Sequence, residues 1–112
     1  MQEPGEVADG VAKIVDMLGD KNPDAKVLLL GVFPRGKDGL DTMRLNNVAI
    51  NQRIRRLDDG DRVHYLDIGN VFLQEDGTIS PQIMPDKLHL SPYGYSLWAE
   101  AIEPKLVELL GE

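Results

Sequence analysis

The sequence predicts an α/β fold built around a short parallel sheet. Residues 27–33 form an uninterrupted apolar run, typical of a strand covered by helices on both faces. Residues 42–57 carry apolar side chains at helical spacing, and residues 62–68 form a second, less apolar strand. A strand, a helix and a strand joined by short links make a right-handed βαβ unit. The 112 residues allow one small domain, residues 1–112.

Further helices are predicted on either side of this unit. Residues 5–18 carry apolar side chains at helical spacing, and Gly19 followed by Asn22-Pro23 predicts the end of that helix. The apolar set of this first helix is Val7, Val11, Ile14, Val15 and Leu18. The apolar set of the helix at 42–57 is Leu45, Val48, Ile50, Ile54 and Leu57. A last helix is predicted over residues 92–110, which Pro104 should kink or split in two.

The two strands are predicted to differ in their position within the sheet. The run at 27–33 is apolar on both faces and indicates a central strand, whereas the strand at 62–68 lies nearer an edge. Asp76-Gly77 is a good hairpin signal between short apolar segments. We expect a short, irregular excursion there rather than two full strands.

Charge and composition exclude several classes of function. The formal net charge of −7 argues against nucleic acid as a partner, because binding it relies on a basic face. The chain has no cysteine, which excludes disulfides and cysteine metal sites. The first 20 residues lack the basic start and apolar run of a signal peptide, and no run is long enough to span a bilayer. The compartment stays unassigned.

Asp86 and His89 have the chemistry and spacing of a catalytic dyad. Two residues separate them, so a carboxylate and an imidazole can meet across one tight turn. A carboxylate that accepts the Nδ1 proton fixes the tautomer of the ring and leaves Nε2 to take a proton. Ser91-Pro92 follows directly and predicts a helix start, with Ser91 as the N-cap. His89 is therefore predicted on a loop held by the helix behind it.

The sequence around this dyad resembles the closing block of the SGNH (GDSL-type) ester hydrolases. The motif D-x-x-H-L-S-x-x-G-Y starts at Asp86 and is followed by an apolar helix. Upstream, residues 26–36 are similar to a strand and turn of the same family and end in Pro34-Arg35-Gly36. The resemblance runs from about residue 6 to residue 110. It is strongest to the branch that includes the platelet-activating-factor acetylhydrolase catalytic subunits and many bacterial acylhydrolases.

That resemblance implies the flavodoxin-like three-layer α/β/α fold of the SGNH hydrolases, of which this chain looks like the C-terminal part. It also implies hydrolysis of an acetyl or short-acyl ester, on a small molecule or a carbohydrate, by a Ser-His-Asp mechanism without a cofactor. His89 would be the base, and Asp86 would orient it. The family's Gly-Asp-Ser nucleophile block and Gly-x-Asn oxyanion block do not occur in this sequence. We therefore expect the isolated chain to be inactive.

The chain offers few other candidates for a functional site. Of its serines, Ser91 is assigned to capping, Ser96 lies inside the last helix, and Ser80 is free but has no activating neighbour. Arg35 follows the first strand, where loops line ligand sites in open α/β sheets, so it is a candidate substrate-binding residue. A solvated turn residue explains Arg35 equally well. A metal site fits the ligand types of four residues in two distant segments: His64, Asp67, Asp86 and His89.

Two classes of function stay open. The first is an ester hydrolase whose Asp-His half lies in this chain. The second is a non-catalytic α/β module that has kept the scaffold and acts by self-association or by binding a partner. In either case the strand at 27–33 has one evident neighbour, residues 62–68, and should seek another along its free edge. We therefore expect a homo-oligomer, or a complex with a complementing N-terminal half.

Overall fold

A computed structural model describes residues 3–86 and 88–111 of the chain. Helix α1 spans Pro4–Lys21, strand β1 Val27–Leu30, helix α2 Thr42–Ile54, strand β2 Val63–Leu66 and helix α3 Pro92–Leu110. Two short 3₁₀ helices, Arg55–Leu57 and Gly69–Phe72, follow α2 and β2. The strands are parallel and α2 connects them, which confirms the predicted α/β class and its βαβ unit.

The sheet in this part of the chain has two strands, and one edge of β1 has no neighbour. Val27 lies opposite Val63, and Leu30 lies opposite Leu66. Among residues 3–86 and 88–111 no third strand joins them. All four residues of β1 are only partly buried. The strand predicted to be central is therefore an edge strand within the described ranges.

Both strands are shorter than predicted, and side chains of α2 explain where β1 ends. The Gly31 N–H still donates to the Leu66 carbonyl at 2.9 Å. Beyond it, the Asn51 amide bonds both main-chain groups of Val32, accepting from the N–H at 2.7 Å and donating to the carbonyl at 3.0 Å. Asn47 Nδ2 donates to the Phe33 carbonyl at 3.0 Å. These amides satisfy the polar groups that would otherwise continue the ladder.

Helices cover both faces of the sheet. Leu29 of β1 packs against a buried cluster from α1 and α2: Ala8, Ile50 and Ile54. The next residue, Leu30, packs against a second cluster that includes Phe72 and Ile102 of α3. Successive residues of a strand point to opposite faces, so α1 and α2 lie on one side and α3 on the other. This is the three-layer α/β/α arrangement.

The predicted apolar face of α2 is partly wrong. Ile50 and Ile54 are buried, but Leu45 is 51% exposed and Val48 is 47% exposed. Polar side chains occupy the buried side instead, because they bond to the loop after β1. Arg44 and Asn47 are both 5% exposed. The helix also ends earlier than predicted, since residues 55–57 continue as a 3₁₀ turn.

The outer helices also differ from the prediction in detail. Helix α1 runs through Gly19 to Lys21, and Asn22 is its C-cap. Ala8 and Val15 form its buried positions, whereas the predicted core residues Ile14 and Leu18 are exposed. Helix α3 contains Pro104 without being split. Pro104 lies on the exposed side, where water can bond the carbonyl left without its helical donor.

The segment between β2 and α3 is the irregular excursion that the sequence predicts. Leu73 and Ile79 form a single antiparallel bridge. Gly77 turns the chain between them with φ of 83°, a conformation that favours glycine.

None of the described helices is long and apolar enough to cross a bilayer.

Candidate active site

The first turn of α3 holds the loop that carries Asp86 and His89. Ser91 is the N-cap of α3, and its Oγ accepts a hydrogen bond from the Gly94 N–H at 3.0 Å. The same hydroxyl donates to the Gln82 carbonyl, and the Ser91 N–H donates to the Ile83 carbonyl at 2.8 Å. The loop from residue 82 to residue 91 is therefore closed at its base.

Gly94 allows α3 to approach this loop closely. A Cβ atom at residue 94 would lie 2.7 Å from the Ile83 carbonyl oxygen and 3.0 Å from Leu90 Cδ2. The first of these neighbours is main chain and cannot move cheaply. The loop from residue 82 to residue 91 is called the dyad loop below. The glycine of the D-x-x-H-L-S-x-x-G-Y motif thus sets the distance between this loop and the helix.

Asp86 and His89 are in direct contact, as the spacing predicts. The Asp86 carboxylate accepts from His89 Nδ1 at 2.6 Å through Oδ2. Its Oδ1 accepts from the main-chain N–H groups of Leu88 at 3.0 Å and His89 at 2.7 Å. One carboxylate therefore fixes both the ring and the backbone of the histidine.

The electrostatics of the pair follow from these bonds. The hydrogen bond from the His89 ring, followed by those from the N–H groups of His89 and Leu88, holds the pKa of Asp86 well below its ordinary value of 3.8. An ionised carboxylate only accepts hydrogen bonds, so Nδ1 of His89 carries the proton. In the neutral ring Nε2 is then an acceptor, and among the described residues it has no bonding partner. The side chain of His89 is 76% exposed.

The three serines of the chain are each engaged locally. Ser91 serves as the cap described above. The Ser96 hydroxyl donates to the Tyr93 carbonyl at 2.6 Å within α3. Ser80 Oγ accepts from the Gln82 N–H at 3.2 Å. No hydrogen bond joins any of them to His89 among the residues the structure describes.

Arg35 lies where the sequence placed it, in the loop at the carboxyl end of β1. It is half-buried and lines a cavity of about 360 Å³ together with Leu88, the neighbour of His89 in the chain. Its Nε is covered by protein and has no hydrogen-bond acceptor among residues 3–86 and 88–111. The Arg35 side chain is therefore only partly solvated.

Arg44, which sequence reasoning missed, holds the Arg35 loop in place. The buried guanidinium of Arg44 donates to three main-chain carbonyls, those of Arg35 at 3.0 Å, Gly36 at 3.4 Å and Gly77 at 2.7 Å. It thereby ties the loop after β1 to the Gly77 turn. Nothing in the pattern of α2 singles Arg44 out, because several other residues of the helix, among them Asn46 and Asn51, are polar as well.

The alternative metal site is not assembled in the described part of the chain. There, no three His, Cys, Asp or Glu side chains come together as a group that could hold a metal ion. His64 Nε2 instead contacts the Asp61 carbonyl at 2.7 Å, next to its own strand. His64 and Asp67 therefore do not add to the Asp86–His89 pair.

Comparison with known proteins agrees with this architecture. A solved structure from Streptococcus pneumonia, provisionally described as a platelet activating factor, matches with a TM-score of 0.77 and 17% identity. That match covers 92% of this chain and 51% of the other. At this level of identity the similarity shows the fold alone. It supports a partial SGNH-type α/β fold.

Similarity in sequence identifies the family more closely than similarity in fold. The human platelet-activating factor acetylhydrolase IB subunit alpha1 is 36% identical over 108 residues, which cover 96% of this chain and 46% of the relative. The rat alpha2 subunit is 35% identical over 108 residues and is covered to 47%. The chain thus spans about half the length of these curated relatives. The family model of the GDSL-like lipase/acylhydrolase family matches residues 1–97, and the chain belongs to that family.

Proposed function

We propose that this chain supplies the Asp–His half of a Ser-His-Asp site that hydrolyses acetyl or short-acyl esters. The observation that carries the proposal is the 2.6 Å contact between Asp86 and His89 Nδ1, which leaves Nε2 exposed and without a partner in the described part of the chain. This is the arrangement that a general base in acyl transfer requires. Membership of the acylhydrolase family supports the reaction class.

In this proposal the nucleophile lies outside residues 1–112. A serine hydroxyl attacks the ester carbonyl, and its proton passes to His89 Nε2. The imidazolium returns that proton to the departing alcohol, which leaves an acyl-serine. Water then attacks the acyl group by the same route, with His89 again as the base. Asp86 orients the ring through both steps, and oxyanion donors are supplied together with the serine.

The engagement of the three serines supports an external nucleophile. Ser91 and Ser96 both donate their hydroxyl protons to main-chain carbonyls, those of Gln82 and Tyr93. Ser80 has no contact that would activate it among the described residues. We therefore expect no turnover of p-nitrophenyl acetate by the isolated chain beyond that of a surface histidine.

The decisive experiment supplies the missing half in trans. A segment carrying Gly-Asp-Ser and Gly-x-Asn blocks is co-expressed with the 112-residue chain, and p-nitrophenyl acetate hydrolysis is measured. We expect hydrolysis by the complex, a fall of about 10²–10⁴-fold for His89→Ala, and a comparable fall for Asp86→Asn. The chain has two histidines, so His64→Ala is the matched control and should keep activity.

A second candidate function is a non-catalytic α/β module that associates through its sheet. One edge of β1 is unpaired among the described residues, and this favours the module, because such an edge is a template for pairing with another chain. The two proposals separate in the same experiment. A complex that forms but hydrolyses nothing supports the binding module. Activity in the isolated chain that disappears with Ser80→Ala would contradict both.

A further inference from the structure

The cavity beside the dyad loop is lined by both apolar and polar residues. Its apolar lining comes from several elements, with Val7 on α1, Phe33 after β1, Ile50 on α2 and Leu88 in the dyad loop. Arg35 and Asn46 line it as well, and its volume is about 360 Å³. A cavity of this size and lining suits a small ligand with an apolar stem and a polar group.

The guanidinium of Arg35 is not neutralised by a bonded carboxylate. Neither of the ion pairs formed by the described residues involves Arg35. The Asp41 carboxylate lies close enough to interact with the charge of Arg35. Its hydrogen bonds, however, come from the main-chain N–H groups of Lys37 and Met43. Arg35 Nε is covered by protein and has no acceptor among the described residues, so a ligand could not reach it. An incoming acceptor would instead meet the terminal N–H groups of the guanidinium.

The loop that presents Arg35 is fixed before any ligand arrives. Arg44 Nε donates to the Arg35 carbonyl, and Arg44 Nη1 ties the same loop to Gly77. Asn47 bonds the carbonyl of Phe33, two residues earlier. A preorganised loop binds more tightly because less freedom is lost when the ligand is held.

Overall charge argues that any anion bound here is recognised locally. The chain has a formal net charge of −7, so its average field repels anions. A guanidinium offers a planar fork of donors that matches the two oxygens of a carboxylate or a phosphate. We infer that this cavity binds an oxyanion group, a carboxylate or a phosphate on a short apolar stem, through Arg35.

The inference also names a class of substrate, and in that respect it rests on the proposed function. Leu88 lines the cavity and immediately precedes His89 in the chain. A ligand that pairs with Arg35 at one end therefore has its stem beside the loop of the base. The substrate class is an ester whose non-reacting end is anionic.

Binding can be tested without any turnover. Ligand-observed saturation-transfer NMR on the 112-residue chain would measure dissociation constants for monomethyl succinate, its uncharged analogue dimethyl succinate, and inorganic phosphate. We expect monomethyl succinate to bind at least tenfold more tightly than dimethyl succinate. Saturable binding of inorganic phosphate would extend the site to phosphate-bearing esters, and binding of the carboxylate alone would restrict it to carboxylates.

Arginine variants provide the matched comparison. Arg35→Gln should weaken monomethyl succinate binding at least tenfold, whereas Arg56→Gln, at an exposed arginine, should change it less than twofold. Arg35→Lys keeps the positive charge but loses the planar pair of donors, so its loss of monomethyl succinate affinity should be intermediate. If circular dichroism shows that Arg35→Gln is unfolded, Arg35→Lys replaces it in the comparison with Arg56→Gln. Equal binding of the two succinates, or equal effects of Arg35→Gln and Arg56→Gln, would overturn the inference. His89→Ala should leave monomethyl succinate binding unchanged. The binding assay therefore does not depend on hydrolysis, and a failure of the esterase proposal would leave its result unaffected.

Discussion

Asp86 holds His89 through both of its carboxylate oxygens: Oδ2 accepts from the ring Nδ1 at 2.6 Å, and Oδ1 accepts from the main-chain N–H at 2.7 Å. The two bonds close one short turn, so the D-x-x-H spacing determines the orientation of the ring relative to its own backbone. A ring fixed in this way loses little freedom when it meets a substrate.

The first prediction concerns the tautomers of the two histidines. His89 donates from Nδ1 to a carboxylate, whereas His64 contacts the Asp61 carbonyl through Nε2 at 2.7 Å. At about pH 9, well above the ordinary pKa of histidine, long-range ¹H–¹⁵N NMR should find the proton on Nδ1 of His89 and on Nε2 of His64. Asp86→Ala should shift His89 towards the Nε2–H form and leave His64 unchanged. The same tautomer on both rings would contradict the described geometry.

The second prediction concerns the titration of Asp86. The hydrogen bonds from the His89 ring and from two main-chain N–H groups lower the pKa of its carboxyl group below 3.8. The stability that these bonds contribute is therefore fully present above the ordinary pKa of aspartate and is lost as the pH falls through the lowered pKa. The ¹³Cγ resonance of Asp86 should still report an ionised carboxylate near pH 3.8.

His89→Ala provides the control for this titration. It removes the ring donor, which is the largest cause of the lowered pKa, but keeps the two main-chain donors. The pKa of Asp86 should therefore rise towards 3.8 without reaching it. An Asp86 pKa that is the same in both proteins would mean that the ring contact does not form in solution.

The sequence was sufficient for the order of elements and for the dyad, because both depend on short-range patterns. Apolar runs identified β1 and the helices, and the D-x-x-H spacing with a Ser-Pro helix start placed His89 beside Asp86. These features need contacts only within a few turns of the chain. The resemblance to SGNH hydrolases rested on the same local blocks.

Long-range polar contacts were beyond such patterns. Asn51 ends β1 from 19 residues away, and Arg44 bonds the carbonyl of Gly77 from 33 residues away. No periodic pattern in the sequence predicts either hydrogen bond. For the same reason the prediction that Leu45 and Val48 are buried is wrong. The hydrophobic periodicity of α2 predicts that its apolar face is buried, whereas hydrogen bonds to the loop carbonyls bury the face that carries Arg44 and Asn47.

The third prediction compares two glycines in helices. A Cβ atom at residue 94 would clash with the Ile83 carbonyl oxygen at 2.7 Å, whereas one at residue 10 has no atom within 4 Å. Gly94→Ala should therefore lower the free energy of unfolding by about 1–3 kcal/mol, as overpacking does. Gly10→Ala should raise it by about 0.5–1 kcal/mol through helix propensity.

Urea denaturation at one fixed protein concentration would measure both changes. The dyad gives a second readout, because Gly94 packs against the loop that carries it. Gly94→Ala should shift the NMR resonances of the His89 ring, whereas Gly10→Ala should leave them in place. Equal effects of the two substitutions on stability would show that α3 does not press on the loop.

The last prediction concerns association through β1. Val27 donates its N–H to the Arg62 carbonyl just before β2, and Gly31 donates to Leu66 of β2. The alternation of a strand therefore directs the N–H groups of Leu28 and Leu30 to the other edge. Within residues 3–86 and 88–111 no strand meets that edge. Leu28 also lines a groove with Leu106, Leu109 and Leu110 of α3, and Asp24 and Lys26 complete its lining. An unpaired edge of this kind is a template for another chain.

We therefore expect the isolated chain to form a homo-oligomer, or a complex with a complementing half, and not a stable monomer at micromolar concentration. Multi-angle light scattering across a dilution series would measure this. Leu28→Pro removes a donor on the open edge, where proline is tolerated, and should shift the equilibrium towards the monomer while circular dichroism stays native. Leu29→Pro is the matched control, since it removes a donor to β2 and should unfold the sheet instead. A monodisperse wild-type monomer with a cooperative thermal transition would show that the chain closes this edge by itself.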